Sequence, residues 1–187
     1  MNMKKAAIKK MPEYFDRYIN LAEDVSVVDS LRLSLKELEQ APIELWKALG
    51  DKTYAKGKWT VKDILQHFID TERVFTYRIT AIARGDKQKM IPYDEEVFAK
   101  NAEANRRSID DLMEELFLIR KSTIKLFDSF SPAMLQQLGN GFNGMQYCPL
   151  ALGFMLAGHQ RWHFRVLEEK YYPIVKASNH ANHETQL

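Results

Sequence analysis

The chain has 187 residues, a formal net charge of +2 at pH 7, 45% hydrophobic and 28% charged residues. That length fits one domain with a sizeable core. The small net charge gives no electrostatic case for nucleic acid, and no apolar run approaches the ~20 residues that a membrane helix needs. Cys148 stands alone, which excludes an internal disulfide. With a basic start that no apolar stretch follows, it suits a cytoplasmic protein.

Taken in order, residues 1–24 offer a loose start and then a short helical turn packed by Tyr14, Phe15, Tyr18, Ile19 and Leu21. A first long helix follows, with Val27 or Val28, Leu31, Leu35, Leu38, Leu45, Trp46 and Leu49 on one face. Pro42 is placed to bend or break it, and Gly50 to end it. Thr60 with Asp63 three residues on predicts an N-cap and a second helix running to about Arg84. Val61, Ile64, Leu65, Phe68, Phe75, Ile79 and Ile82 form its buried side, with His67 at the edge.

Residues 85–104 lack clean periodicity. A connection so long is either a functional lid or a plain crossover that lets the next helix run parallel to its predecessor. The third helix is expected from about Glu103 to Phe130, with Ile109, Leu112, Met113, Leu116, Phe127 and Phe130 inward. Ser131-Pro132 starts a short helix, and Asn140 to Gly144 reads as a turn-rich loop. Pro149 opens the fourth long helix, where Leu152, Met155, Leu156, His159, Trp162, His163 and Val166 make a buried stripe. The expectation is an all-α four-helix bundle over residues 25–172, with a long crossover between helices 2 and 3. Residues 1–24 pack on it and 173–187 form a flexible tail.

His159 and His163, four apart on that stripe, lie one above the other and can converge on one ion. Zinc-type ions usually take at least three protein ligands. His180 and His183 sit in the polar tail, which leaves His67 as the third. The spacing His159-Gln160-Arg161-Trp162-His163 is that of the zinc-protease helix, but Gln160 stands where that chemistry needs a glutamate base, so a protease is excluded.

These segments resemble the DinB/YfiT-like superfamily, metal-dependent enzymes built on a four-helix bundle. The resemblance is carried by Gly57 to Arg78 around His67, by Ala83 to Asp86, by Arg120 to Phe127 and by Gly158 to His163. It covers nearly everything from Met11 to Tyr172. It implies that His67, His159 and His163 bind a divalent ion, zinc or nickel, with further positions open to water or substrate. Many relatives carry a glutamate where this chain has Gln160. The activities implied are hydrolysis, S-transfer of a thiol such as bacillithiol or mycothiol, or a mycothiol-dependent maleylpyruvate isomerisation. The resemblance also implies a homodimer. Tyr14, Phe15 and Tyr18 provide aromatic surface for one, unless they cover the end of their own bundle.

Among catalytic candidates, Asp70 lies three residues after His67 on the same face. It fits a role behind the ligands, in proton transfer or as a fourth ligand, or else is a surface charge paired with Arg73 or a lysine. Arg73 and Arg78 suit an anionic substrate in principle, but structural ion pairs are the expected role. Cys148 is expected to act as a small hydrophobe. The alternative to an enzyme is a non-catalytic bundle whose metal is structural or incidental.

Overall fold

The computed structural model describes residues 3–141 and 144–175. A short turn, α1 (Asp16–Ile19), precedes α2 (Val27–Glu39), whose first turn is capped by Ser26 Oγ accepting from Asp29 N at 3.1 Å. Pro42 breaks the chain rather than bending it, so Ile43–Leu49 is a separate helix, α3. Gly50 ends α3 at φ +56, a region few side chains tolerate. The Thr60–Asp63 capping box is present: Thr60 Oγ1 accepts from Asp63 N, and Thr60 N donates to Asp63 Oδ2 at 2.9 Å. It opens α4, Val61–Ala83.

The next element departs from expectation. The third long helix, α6, spans Ile109–Asp128 instead of starting at Glu103. Glu103 is left-handed at φ +50, and the true cap is Ser108, whose Oγ accepts from Asp111 N at 3.1 Å. The long connection contains a helix of its own, α5 (Glu95–Ala102), capped by Asp94 Oδ1 accepting from Glu96 N and Val97 N. Two turns are too short for periodicity to register in the sequence.

Beyond α6 come α7 (Pro132–Gln136) and a two-stranded hairpin, β1 (Gly139–Asn140) and β2 (Gln146–Tyr147), whose strands flank the loop expected from Asn140 to Gly144. The last helix, α8 (Pro149–Val166), continues through a wider π-turn, Leu167–Tyr171, and stays helical to residue 175. The tail expected from residue 173 lies outside the described residues from 176 on, as do His180 and His183.

The four long helices α2, α4, α6 and α8 form a bundle in which α4 and α2 each lie against both α6 and α8. Buried residues fall into two clusters, and these give the helix directions. One cluster holds the starts of α2 and α8 (Val27, Leu31, Leu150, Leu152) with the ends of α4 and α6 (Ile79, Ile82, Phe127). The other holds Leu38 and Leu167 with the starts of α4 and α6 (Val61, Leu65, Leu112). Helices α4 and α6 therefore run parallel, and the long connection is a crossover. Among the described residues, no helix is long and apolar enough to cross a membrane.

Between the clusters lies a charged layer that ties the four helices together. Arg120 and Glu72, 2% and 1% exposed, form an ion pair in which Arg120 Nε donates to both carboxylate oxygens, at 2.9 and 3.0 Å. Arg120 Nη1 donates to Gln160 Oε1 at 3.0 Å, and Gln160 Nε2 donates to Ser34 O at 2.8 Å and to Glu37 Oε2 at 3.2 Å. A buried arginine and carboxylate are tolerated only when paired and hydrogen-bonded in this way. The layer fixes the rotation of α8 one residue beyond His159.

The N-terminal segment crosses α8 at Gly158. A Cβ there would collide with the backbone carbonyl of Tyr18, so glycine is what lets α1 approach. Phe15 packs edge-on to Phe75, and Tyr18 edge-on to Trp162 and His159. Phe15 and Tyr18 are thus used on the chain's own bundle, while Tyr14 stays 49% exposed.

Candidate metal centre

His67 projects from α4 two turns after its cap, and His159 and His163 project one turn apart from α8. The three side chains meet. His159 Nε2 lies 3.0 Å from His67 Nε2 and 3.1 Å from His163 Nε2. The potential ligand atoms of the trio all lie within 4.8 Å of one another. Imidazole nitrogens sharing one ion at about 2.0–2.2 Å sit roughly 3–3.5 Å apart. The donor set also fits chemically. A neutral imidazole nitrogen is either donor or acceptor, so three facing nitrogens cannot all satisfy one another. A cation accepts a lone pair from each.

Burial favours the same state. Desolvation lowers the pKa of His67 to about 3, helped by the nearby His163, and that of His163 to about 4. His159 is held well below the ordinary value by burial first, then by His163, His67 and Arg120. All three are neutral at neutral pH, the form that ligates metal.

Neighbouring groups hold the rings in place. Thr71 Oγ1 lies 3.4 Å from His67 Nδ1 and 2.6 Å from Tyr93 Oη, a chain reaching from α4 into the crossover. Trp59 stacks on His163 with planes 13° apart, its indole N–H donates to Glu96 Oε2 at 3.1 Å, and its carbonyl accepts from Tyr171 Oη. The π-turn after α8 aims Tyr171 at that carbonyl. Phe68 stands edge-on to both His159 and His163.

The trio lies at the wall of a cavity of about 480 Å³. Its lining comes from the N-terminal segment (Phe15, Tyr18), α4 (Thr71, Phe75, Arg78), the crossover (Met90, Tyr93, Glu95, Glu96) and the hairpin (Met145, Tyr147). The connection is therefore a crossover that also forms one wall of the cavity.

The other candidates are placed as follows. Asp70 is not among the cavity residues. Its carboxylate accepts from Gln66 Nε2 at 3.0 Å, and half-burial raises its pKa. Arg73 pairs with Glu115 at 2.5 Å, as expected. Arg78 departs from expectation: it lines the cavity, and its Nη2 donates to Ile91 O at 2.6 Å instead of to a carboxylate. Cys148 is buried, which pushes its thiol pKa up, as suits a small hydrophobe. Thr71, Tyr93 and Glu96 escaped the sequence reading. Thr71 was within reach of it, four residues after His67 on one helix face. Tyr93 and Glu96 sit in the aperiodic connection and carry no such signal.

Comparison with known proteins agrees with this architecture. The sequence model of the DinB superfamily matches residues 30–167. A Bacillus mycoides (strain KBAB4) protein, named provisionally as a metal-dependent hydrolase, is 28% identical over 153 residues, 81% of this chain and 82% of that protein. The fold is similar to that of YfiT from Bacillus subtilis, described as a probable metal-dependent hydrolase with an unusual four-helix-bundle topology. The TM-score is 0.65 at 15% identity, over 87% of this chain and 88% of that one. With the family match spanning most of its length, the chain belongs to the DinB superfamily.

Proposed function

We propose that the protein is a metal-dependent enzyme that binds a small molecule in this cavity and hydrolyses it, with His67, His159 and His163 holding a divalent zinc or nickel ion. One observation carries the reading: the three Nε2 atoms converge on the wall of a cavity of about 480 Å³, not in a sealed core. A structural metal would have its ligand shell closed. The name of the Bacillus mycoides relative supports the same activity. An all-imidazole set suits zinc and nickel.

When bound, such an ion supplies Lewis acidity to an oxygen of the substrate. The chain's own residues do the rest. Thr71 and Tyr93 fix the His67 ring, as partners behind a ligand commonly do. Trp59, Tyr18 and Phe75 exclude water from the apolar wall. Hydrolysis needs a proton acceptor within reach, and the carboxylates lining the cavity are Glu95 and Glu96. We assign the role to Glu96, whose carboxylate accepts from the indole N–H of Trp59, the ring stacked on His163. Asp70, turned to Gln66, takes no part.

A second reading, S-transfer of a thiol such as bacillithiol or mycothiol, is favoured by one feature. Among the described residues the histidine cluster includes no carboxylate, and a thiol bound to such an ion would lose its proton directly to water, with no carboxylate base needed.

The test is metal analysis of untagged protein after zinc or nickel loading, then assay against panels of esters, amides and thiol adducts. Chelator-sensitive cleavage of an ester or amide is expected. Protein that retains neither metal refutes the reading, and turnover confined to thiol adducts selects the second.

A further inference from the structure

Arg78 is only 7% exposed, yet among the described residues it forms no ion pair. Its guanidinium has five N–H donors, and the hydrogen bond to Ile91 O uses one. The rest of its surroundings are rings: the guanidinium sits 4.7 Å from the centre of Phe75 and 5.9 Å from that of Tyr93. A buried charge without a counter-charge is costly. Arg73, five residues earlier, is more than half exposed and still pairs with Glu115. Arg78 instead borders the cavity.

His67, Thr71, Phe75 and Arg78 recur at steps of four, four and three, so one face of α4 runs from the metal centre to the guanidinium. The separation along the axis is roughly 16 Å. It is shortened because Arg78 leans back over Phe75, toward the start of the helix, as helical side chains do. The wall between the two poles is largely aromatic, with the Thr71 and Tyr93 hydroxyls bonded to each other.

From this we infer that the substrate of this cavity carries a carboxylate held by Arg78, an apolar middle, and its reacting group at the histidine end. A carboxylate is favoured because one planar guanidinium matches its two oxygens. A dianionic phosphate would bring a second negative charge into a cavity that Glu95 and Glu96 also line. The inference rests on the metal-dependent reading above for the reacting end alone.

The probes are straight-chain acids of graded length bearing a hydroxamate at one end and a carboxylate at the other, together with their terminal amides. Binding to zinc-loaded protein is read by calorimetry and by the fluorescence of Trp59 and Trp162. At the best chain length the acid should bind about tenfold more tightly than the amide, the effect of one charge-assisted contact. Arg78→Met should abolish that preference, and Arg78→Lys should retain part of it, both with unchanged zinc content. Equal binding of acid and amide to the wild-type protein overturns the inference without any variant, so misfolding of Arg78→Met does not shelter it. Persistence of the preference in folded Arg78→Met overturns it as well. If the metal reading alone is wrong, replacing the hydroxamate with a methyl group costs nothing while the acid–amide preference stays.

Discussion

Arg120 Nη1 donates to Gln160 Oε1 at 3.0 Å, placing a buried cation one residue from His159 at the centre of the bundle. Gln160 suits that place because an amide accepts on one side and donates on the other, here to Ser34 O and Glu37. Arg120→Met should be severe, since it strands Glu72 without its partner. Breaking a buried pair on one side costs about 3–5 kcal/mol. Urea unfolding measures it, and a loss within experimental error of zero would contradict the description of this layer.

Metal should stabilise the fold through the histidines. A ligand that binds only the folded state adds about 2.7 kcal/mol at a hundredfold excess over Kd. Chelation is therefore expected to lower the melting temperature of the wild-type protein and leave that of His163→Ala nearly unchanged. Equal shifts in both proteins would count against the trio.

Acid should destabilise the protein earlier than carboxylates alone would. The folded state holds His67 at about 3 and His163 at about 4, while in the unfolded chain imidazoles take up protons below about 6.5. Between those values the unfolded state binds more protons, so stability falls as pH drops. It is complete above about 6.5 and declines from there, through about 4 for His163 and on toward about 3 for His67. Urea midpoints across this range test the slope, which His67→Gln should flatten; a wild-type midpoint constant over the range would refute the burial argument.

Gly158→Ala probes the seat of the N-terminal segment. The added methyl meets the Tyr18 carbonyl, which is backbone and cannot rotate away. Overpacking of this kind costs about 1–3 kcal/mol. The displaced Tyr18 should also alter the emission of Trp162, its edge-on neighbour. An unperturbed spectrum together with full stability would mean that the crossing is looser than described.

What the sequence revealed depended on periodicity. The His159–His163 spacing, the Thr60–Asp63 cap and the apolar stripes repeat along a helix, and each led to the observed element. His67 was reachable because the other two histidines lie in the polar tail. Helix α5 and the hairpin were not legible, since two turns or two residue pairs carry no period. The start of α6 was misplaced because Glu103 continues the helical composition while its backbone turns left-handed. Arg78 and Arg120 illustrate another limit: a charged residue in a sequence is taken for surface or for a local pair. Only long-range packing shows that one is paired across the bundle and the other faces a cavity.

His67 and His159 are 92 residues apart along the chain. A ribosome-bound chain lacking α8 has one member of the trio, so it has no means of holding an ion there. The centre can form only after synthesis has passed residue 163 and the last helix has docked. An ion held by this trio would therefore be acquired only after the last helix has docked, and would add its stabilisation to a bundle already assembled.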